Sequence, residues 1–285
     1  MAEITPSMIK ELRERTQAGM LDCKKALAQS DGDMEAAAEF LRKKGLAAAD
    51  KKAGREIKEG IVAVKVADDS RKASICEVNC ETDFVAMNEN FQKLAADVAG
   101  EIFAADLKAG DPVPESLEEK IKGAIAINKE NMGIGSFDTM EVESGKGGVV
   151  TSYIHSNQKI GVLVKLSTEK ADASVEILNE LGKELAMQAA AANPEYLKPE
   201  DVPEDVKSKE KEIYKEQMKD SGKPDNILDK IVEGKLGKYY QEVCLLNQVY
   251  IKDSAKKIPD LIKEFSDKIG SPVSVDAFIR IQIAG

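Results

Sequence analysis

Four cysteines and a single histidine are the side chains of this 285-residue chain best suited to nucleophilic or metal chemistry. A hydrolytic relay would have to use His155, which lies in "TSYIHSNQKIG", a stretch patterned as a strand, with no carboxylate nearby in sequence. It reads as a surface or hydrogen-bonding imidazole. Pairing it with Cys80 would be needed for an enzyme, and no spacing supports that pairing. Cys76 and Cys80 form C-x3-C; on a strand, an offset of four puts their Cα atoms roughly 13 Å apart. That exceeds the reach of a disulfide, about 7 Å, and of a shared zinc tetrahedron. With Cys23 and Cys244 they read as buried or half-buried thiols of a reducing compartment.

The glycine motifs are equally unpromising. "ESGKGGVV" lacks the glycine of a phosphate loop at Met140, and Gly147 stands where Ser or Thr should follow Lys146. It reads as a hairpin turn. "GIGSFD" lacks the third glycine of a dinucleotide fingerprint and opens no helix. Paired carboxylates are what any acidic surface offers. The sequence therefore points to a binding protein with no cofactor and no metal, rather than to an enzyme.

The elements that position these residues follow from periodicity. Residues 1–45 read as three short helices: Thr5 and Pro6 open the first, whose face is Ile4, Met8, Ile9 and Leu12. Met20, Cys23 and Leu27 space the second; Asp33 caps a third carrying Ala36, Ala37, Phe40 and Leu41. A polar, partly helical linker leads to Gly60, where the period becomes two: "GIVAVKVADDSRKASICEVNCE" is a hairpin. Helices follow at about 88–105 and in "LEEKIKGAIAINKE", then a strand-rich stretch to "VLVKLS", and a long helix over 172–192 stopped by Asn193-Pro194. Two charged helices flank the polar turn "DSGKPDN", the second striped by Leu228, Ile231, Val232, Leu236, Tyr239 and Val243. A helical hairpin that cannot bury its own stripes is an arm awaiting a partner or a second copy. A strand "VCLLNQVYI", a helix "IPDLIKEFSDKI" and a last strand "VSVDAFIRIQIAG" complete an α+β chain.

Charge narrows the partners. The 41 Lys and Arg against 51 Asp and Glu leave a net charge of −10, which argues against nucleic acid, since affinity for phosphate backbones needs clustered cations. Residues 1–55 are slightly basic, with 11 Lys/Arg against 9 Asp/Glu, suited to an acidic protein surface. No apolar run approaches the roughly 20 residues of a membrane span, and "MAEITPSMIKELRERT" has no secretory apolar core. A cytoplasmic protein is expected. One stretch is odd: in "CETDFVAMNENF" (80–91) Asp83 and Phe84 sit at the corner between a strand and a helix. Either Phe84 tucks back into the core, or the corner is presented to something else.

"ELRERTQAGMLDCKKAL" (11–27) and "EVNCETDFVAMNENF" (77–91) closely resemble the bacterial elongation factor Ts family, guanine-nucleotide exchange factors for elongation factor Tu. "SYIHSNQKIGVLV" (152–164), "PEYLKPEDV", "SGKP" and "VEGKL" match further along, and the resemblance is collinear from residue 3 to residue 283. Gln17 departs from the glycine common there. Some relatives carry a further C-terminal helical module that touches Tu; this sequence stops at Gly285, so that contact is not carried over.

The resemblance implies a three-helix, ubiquitin-associated-like (UBA-like) module with its linker on 1–55. It also implies two α+β core subdomains, on 56–142 and on 143–193 with 243–285, and an inserted antiparallel helical hairpin, 194–242. It implies that Thr82, Asp83, Phe84 and Val85 bind Tu, with Asp83 and Phe84 displacing elements that hold Mg²⁺ beside GDP. Arg13, Met20, Leu21 and the 18–22 loop would dock on the nucleotide-binding domain of Tu, although Met20, with Leu12 and Leu27, reads more readily as bundle core. His155 would face another domain. The hairpin serves either self-association as a homodimer or simple packing on its own core. From another class, the rival is a dimerising, chaperone-like adaptor whose bundle binds varied helices.

Overall fold

A computed structural model describes residues 4–16, 18–218 and 224–283; Gln17 and residues 219–223, which hold most of the "DSGKPDN" turn, lie outside them. Helix α1 (Pro6–Thr16) starts where the Thr5 hydroxyl accepts from the Met8 amide at 3.3 Å. Helix α3 (Met34–Asp50) starts where Asp33 accepts from the Ala36 amide at 2.9 Å. Between them lies α2 (Met20–Gln29). Leu12, Cys23, Ala26, Leu27, Ala37 and Leu41 form their shared core. Met20 is not in it. The buried face of α2 is Cys23, Ala26 and Leu27, an i, i+3, i+4 set, and Met20, one turn earlier at the open end, points out. Helix α3 outruns the expected bundle and lies along α6 (Glu115–Asn128); Gly45 allows the approach, since a Cβ there would come within 2.6 Å of the Ala126 Cβ.

The alternating segments build two antiparallel sheets. The first orders β1 (Glu59–Val66), β2 (Lys72–Cys80) and β3 (Met132–Glu141); the second orders β4 (Gly147–Ile154), β5 (Ile160–Thr168) and β6 (Ser274–Gln282). Period two gives each sheet two apolar faces. Inner residues Val62, Ile75, Val150, Leu163 and Ile281 interlock between the sheets. The outer face of the first, with Ile61, Cys76, Val78 and Cys80, is covered by α5 (Glu89–Ala105) and α6. Helices α7 (Val175–Ala192) and α10 (Ile258–Ile269) cover the outer face of the second through Leu178, Leu181, Leu185, Leu261 and Phe265. The layers run helix, sheet, sheet, helix, in an α+β arrangement.

Three expectations are corrected. "SGKGG" is not a hairpin turn: β3 and β4 belong to different sheets, and the segment crosses between them. A side chain on Gly147 would overlap the Lys170 carbonyl, and the Arg71 guanidinium donates to the carbonyls of Lys146 (2.9 Å) and Glu143 (2.8 Å), fixing the crossover. "VCLLNQVYI" is no strand. It is the end of a helix, a 3-10 turn (Leu245–Asn247) and two isolated bridges. Buried Gln188 of α7 satisfies its backbone instead, donating to the Val249 carbonyl (3.1 Å) and accepting from the Ile251 amide (2.8 Å). In the arm, α8 (Glu204–Met218) and α9 (Asp225–Val243) pack on each other, and Val232 and Leu236 are buried within one chain. The centre of the stripe is therefore covered without a second copy, while Leu228, Ile231, Tyr239 and Val243 are half-buried.

Candidate protein-binding site

After Cys80 the chain leaves β2, and Thr82 adopts extended backbone (φ −127°, ψ 152°) as the N-cap of a one-turn helix, α4 (Asp83–Ala86). The Thr82 hydroxyl accepts from the Val85 amide at 3.4 Å, and Asn88 in turn caps α5 by accepting from the Asn90 amide at 2.8 Å. Two caps six residues apart leave no room for a longer helix. Ala86 is buried and Val85 half-buried against the core under α5, whose first anchor, Phe91, is fully buried. Phe84 and Met87, three apart, therefore share the opposite face: Phe84 is 83% and Met87 71% exposed. Asp83 is exposed beside them. Leaving a phenylalanine in water forgoes about 1.5–3 kcal/mol of burial free energy, which makes this corner the candidate surface for another apolar group.

The base of the bend is tightly held. The Glu130 carboxylate accepts from the Thr82 amide (3.0 Å) and the Thr82 hydroxyl (2.7 Å), and the Cys80 thiol donates to the Thr82 carbonyl (3.2 Å). Burial, helped by the Glu130 charge, pushes the Cys80 thiol up to about 12, so it remains a protonated donor. Next to it, Glu81 accepts from the Asn131 amide at 2.6 Å, and Asn131 donates to the Arg55 carbonyl at 2.7 Å.

Of the other residues singled out from the sequence, those that connect to this corner do so through their neighbours. Met20 (60%) and Leu21 (75%) are exposed at the start of α2. Their neighbour Asp22 lies 2.9 Å from the Lys44 ammonium, which holds its carboxyl below the usual range, and 3.9 Å from Lys129, the residue before Glu130. His155 is exposed one residue beyond β4, in the turn to β5, not on the strand as expected; its Nδ1 lies 3.1 Å from the Tyr153 hydroxyl. The turn residue Lys159 reaches Glu59 at 2.7 Å, and Glu59 is the β1 partner of Cys80. The start of α2 is thus linked to the neighbourhood of the 82–85 bend by the long Asp22–Lys129 pair, and the 155–160 turn by the shorter Lys159–Glu59 pair. The expected 18–22 loop is shorter than the sequence suggests, because α2 already begins at Met20. Arg13 is exposed on α1, and among the described residues no hydrogen bond or ion pair joins it to the bend. Sequence reasoning missed Met87, which its spacing from Phe84 could have revealed, and Glu130, which lies 48 residues from Thr82 with no local pattern to mark it.

All four thiols are free and buried. Among the described residues no group of three or more His, Cys, Asp or Glu side chains is arranged to hold a metal ion, and no helix is long and apolar enough to cross a membrane.

Comparison with known proteins adds the family. Residues 81–284 match the family model described as "Elongation factor TS". Over nearly the whole length the chain is similar to curated proteins named "Elongation factor Ts". It is 45% identical to that of Clostridium novyi over 98% of this chain and 92% of the relative. It is 47% identical to that of Clostridium perfringens (strain SM101 / Type A) over the same shares. With that of Lawsonia intracellularis it shares 43% identity over 98% of each.

Proposed function

The chain belongs to the elongation factor Ts family of translation elongation factors, and on that premise we propose that it binds elongation factor Tu·GDP and promotes GDP release so that GTP can load. A GTPase holds GDP through a glycine-rich loop, a lysine and a Mg²⁺ that neutralises phosphate charge. An exchange factor makes and breaks no covalent bond; it binds the nucleotide-free partner more tightly than the nucleotide-bound one, and linkage makes each loosen the other by the same ratio. The differential contacts come from a wedge that fits only once the Mg²⁺ side of the pocket is distorted.

The observation that carries this reading is the 83% exposure of Phe84 on a helix of one turn whose base is fixed. Phe84 is the apolar anchor, with Met87 enlarging it and Asp83 adding directed polar contacts; Thr82 and Val85 root it. Met20 and Leu21 dock the three-helix, UBA-like module on the nucleotide-binding domain of Tu, with Arg13 as a charged rim, and His155 meets a second domain. The core divides into subdomains at 56–142 and 143–193 with 243–285, the arm at 194–242 being inserted. Homodimerisation through the half-buried stripe of α9 is secondary to this function. A cytoplasmic location follows from the partner.

Release of fluorescent GDP from Tu, with and without this protein, tests the proposal. Stimulation should be strong at low Mg²⁺ and blunted as Mg²⁺ rises; no stimulation at any Mg²⁺ concentration contradicts it. A pull-down that recovers Tu and loses it with excess GDP separates this reading from a general helix-binding adaptor.

A further inference from the structure

Glu130 does not reach the exposed face of the bend, yet it makes the two shortest hydrogen bonds to Thr82. We propose that Glu130 is a positioning residue for exchange, an inference resting on the functional reading above: it acts through Thr82 to preset the angle at which α4 presents Phe84. A four-residue helix has no stability of its own, because nucleation costs more than one turn returns. Its geometry is therefore set at its ends. At the C-terminal end, Ala86 is buried, and the Met87 and Asn88 amides donate to the Asp83 and Val85 carbonyls at 2.9 and 3.0 Å. At the N-terminal end everything converges on Thr82. Its carbonyl takes the Cys80 thiol; its amide and hydroxyl both donate to Glu130.

The hydroxyl bond has a directional effect. Because the Thr82 hydroxyl donates its hydrogen to Glu130 at 2.7 Å, its lone pairs are left for the Val85 amide at 3.4 Å. A carboxylate acceptor gives the stronger, charge-assisted form of the bond, and it polarises the hydroxyl as an acceptor for the cap. Glu130 itself sits on a rigid corner. Lys129, in left-handed backbone (φ 63°), ends α6, and β3 begins at Met132, already paired with Cys80. One carboxylate thus ties the strand end, the bend and the end of α6 into a single body. The ion pair next door, Lys129 to Asp22, is long and solvent-exposed, and pairs of that kind contribute little; it does not substitute for Glu130.

The test measures two quantities on the full chain: the rate of fluorescent GDP release from Tu per concentration of factor, and amide hydrogen exchange in the free factor. Loss of a charge-assisted pair should lower the exchange rate constant of Glu130→Ala about tenfold. The amides of 85–88 should exchange faster while β1 and β2 keep wild-type protection. Glu130→Gln, with one strong acceptor in place of two, should fall between wild type and Glu130→Ala in both readouts, and it takes over the test should Glu130→Ala fail to fold. Adding Thr82→Ala to either variant should cost less than the product of the single effects, because both act through one contact. Wild-type exchange together with wild-type protection of 85–88 overturns the inference, as does a loss of protection spread through the sheets. Phe84→Ala serves as the control: if it slows release and the Glu130 variants do not, this inference fails while the functional reading stands. If the wild-type chain gives no stimulation, both fail.

Discussion

Phe84 and Phe91 are seven residues apart and have opposite fates, which sets the expectations at the scale of single residues. Phe91 is fully buried and Phe84 is 83% exposed. Truncating a buried aromatic costs about 3–5 kcal/mol, whereas an exposed one away from special contacts costs within about 0.5 kcal/mol. Phe91→Ala should therefore lower the unfolding midpoint sharply, and Phe84→Ala should leave it unchanged; chemical denaturation of the two variants checks both. The thiols give a second expectation. Burial pushes Cys76 and Cys80 up to about 12 and Cys244 up to about 11, from an ordinary value of 9.0. Their folded pKa values are raised, so the native state keeps its thiol protons after the unfolded chain has lost them. Stability from this source is whole below pH 9 and falls as pH rises from 9 toward 12. A denaturation midpoint that is flat from pH 7 to 8.5 and declines above pH 9 is expected, together with thiols that a disulfide reagent modifies only as fast as the chain opens. A midpoint that rose above pH 9 would contradict the burial.

At the scale of elements, the two sheets approach each other closely at Gly161. A Cβ on Gly161 of β5 would overlap a methyl of Val62 on β1, and its next neighbour is the Ile154 side chain, 2.9 Å away. Gly161→Ala should push the layers apart and destabilise by about 1–3 kcal/mol, measurable as a lowered denaturation midpoint with an unchanged slope. Most elements were legible because their signals are local: Asp33 capping α3, alternation in β1 and β2, the left-handed Asn193 ending α7. The misreadings occur where a distant residue decides. "VCLLNQVYI" has the composition of a strand, but Gln188, some sixty residues earlier, supplies the hydrogen bonds a neighbouring strand would have supplied. "SGKGG" has the composition of a hairpin turn, but Arg71 and the end of β5 hold it as a crossover. The bend itself was legible as an anomaly, an aromatic at a corner. Its direction was not, because it depends on Glu130 from another part of the chain.

At the scale of the whole molecule, the two-sheet core behaves as a mount. Its helices face outward on both sides, the N-terminal bundle packs on α6 at Gly45 and Ala126, and Asp22, next to the exposed Met20 and Leu21, pairs at 3.9 Å with Lys129, the neighbour of Glu130. Docking two sites from one rigid body gains affinity because the second contact costs little further entropy. Met20→Ala with Leu21→Ala should consequently weaken binding to Tu, raising the factor concentration needed for half-maximal exchange, while the rate at saturation changes little. Titration of GDP release against factor concentration checks that split. The proposed wedge should behave the opposite way, since the proposal has it act on the pocket after docking. The most direct measurement is stopped-flow release of fluorescent GDP from elongation factor Tu driven by Phe84→Ala at saturating concentration. Loss of an anchor worth about 2–4 kcal/mol should slow release at least thirtyfold with the unfolding midpoint unaltered. Wild-type release from a folded Phe84→Ala protein would contradict the account.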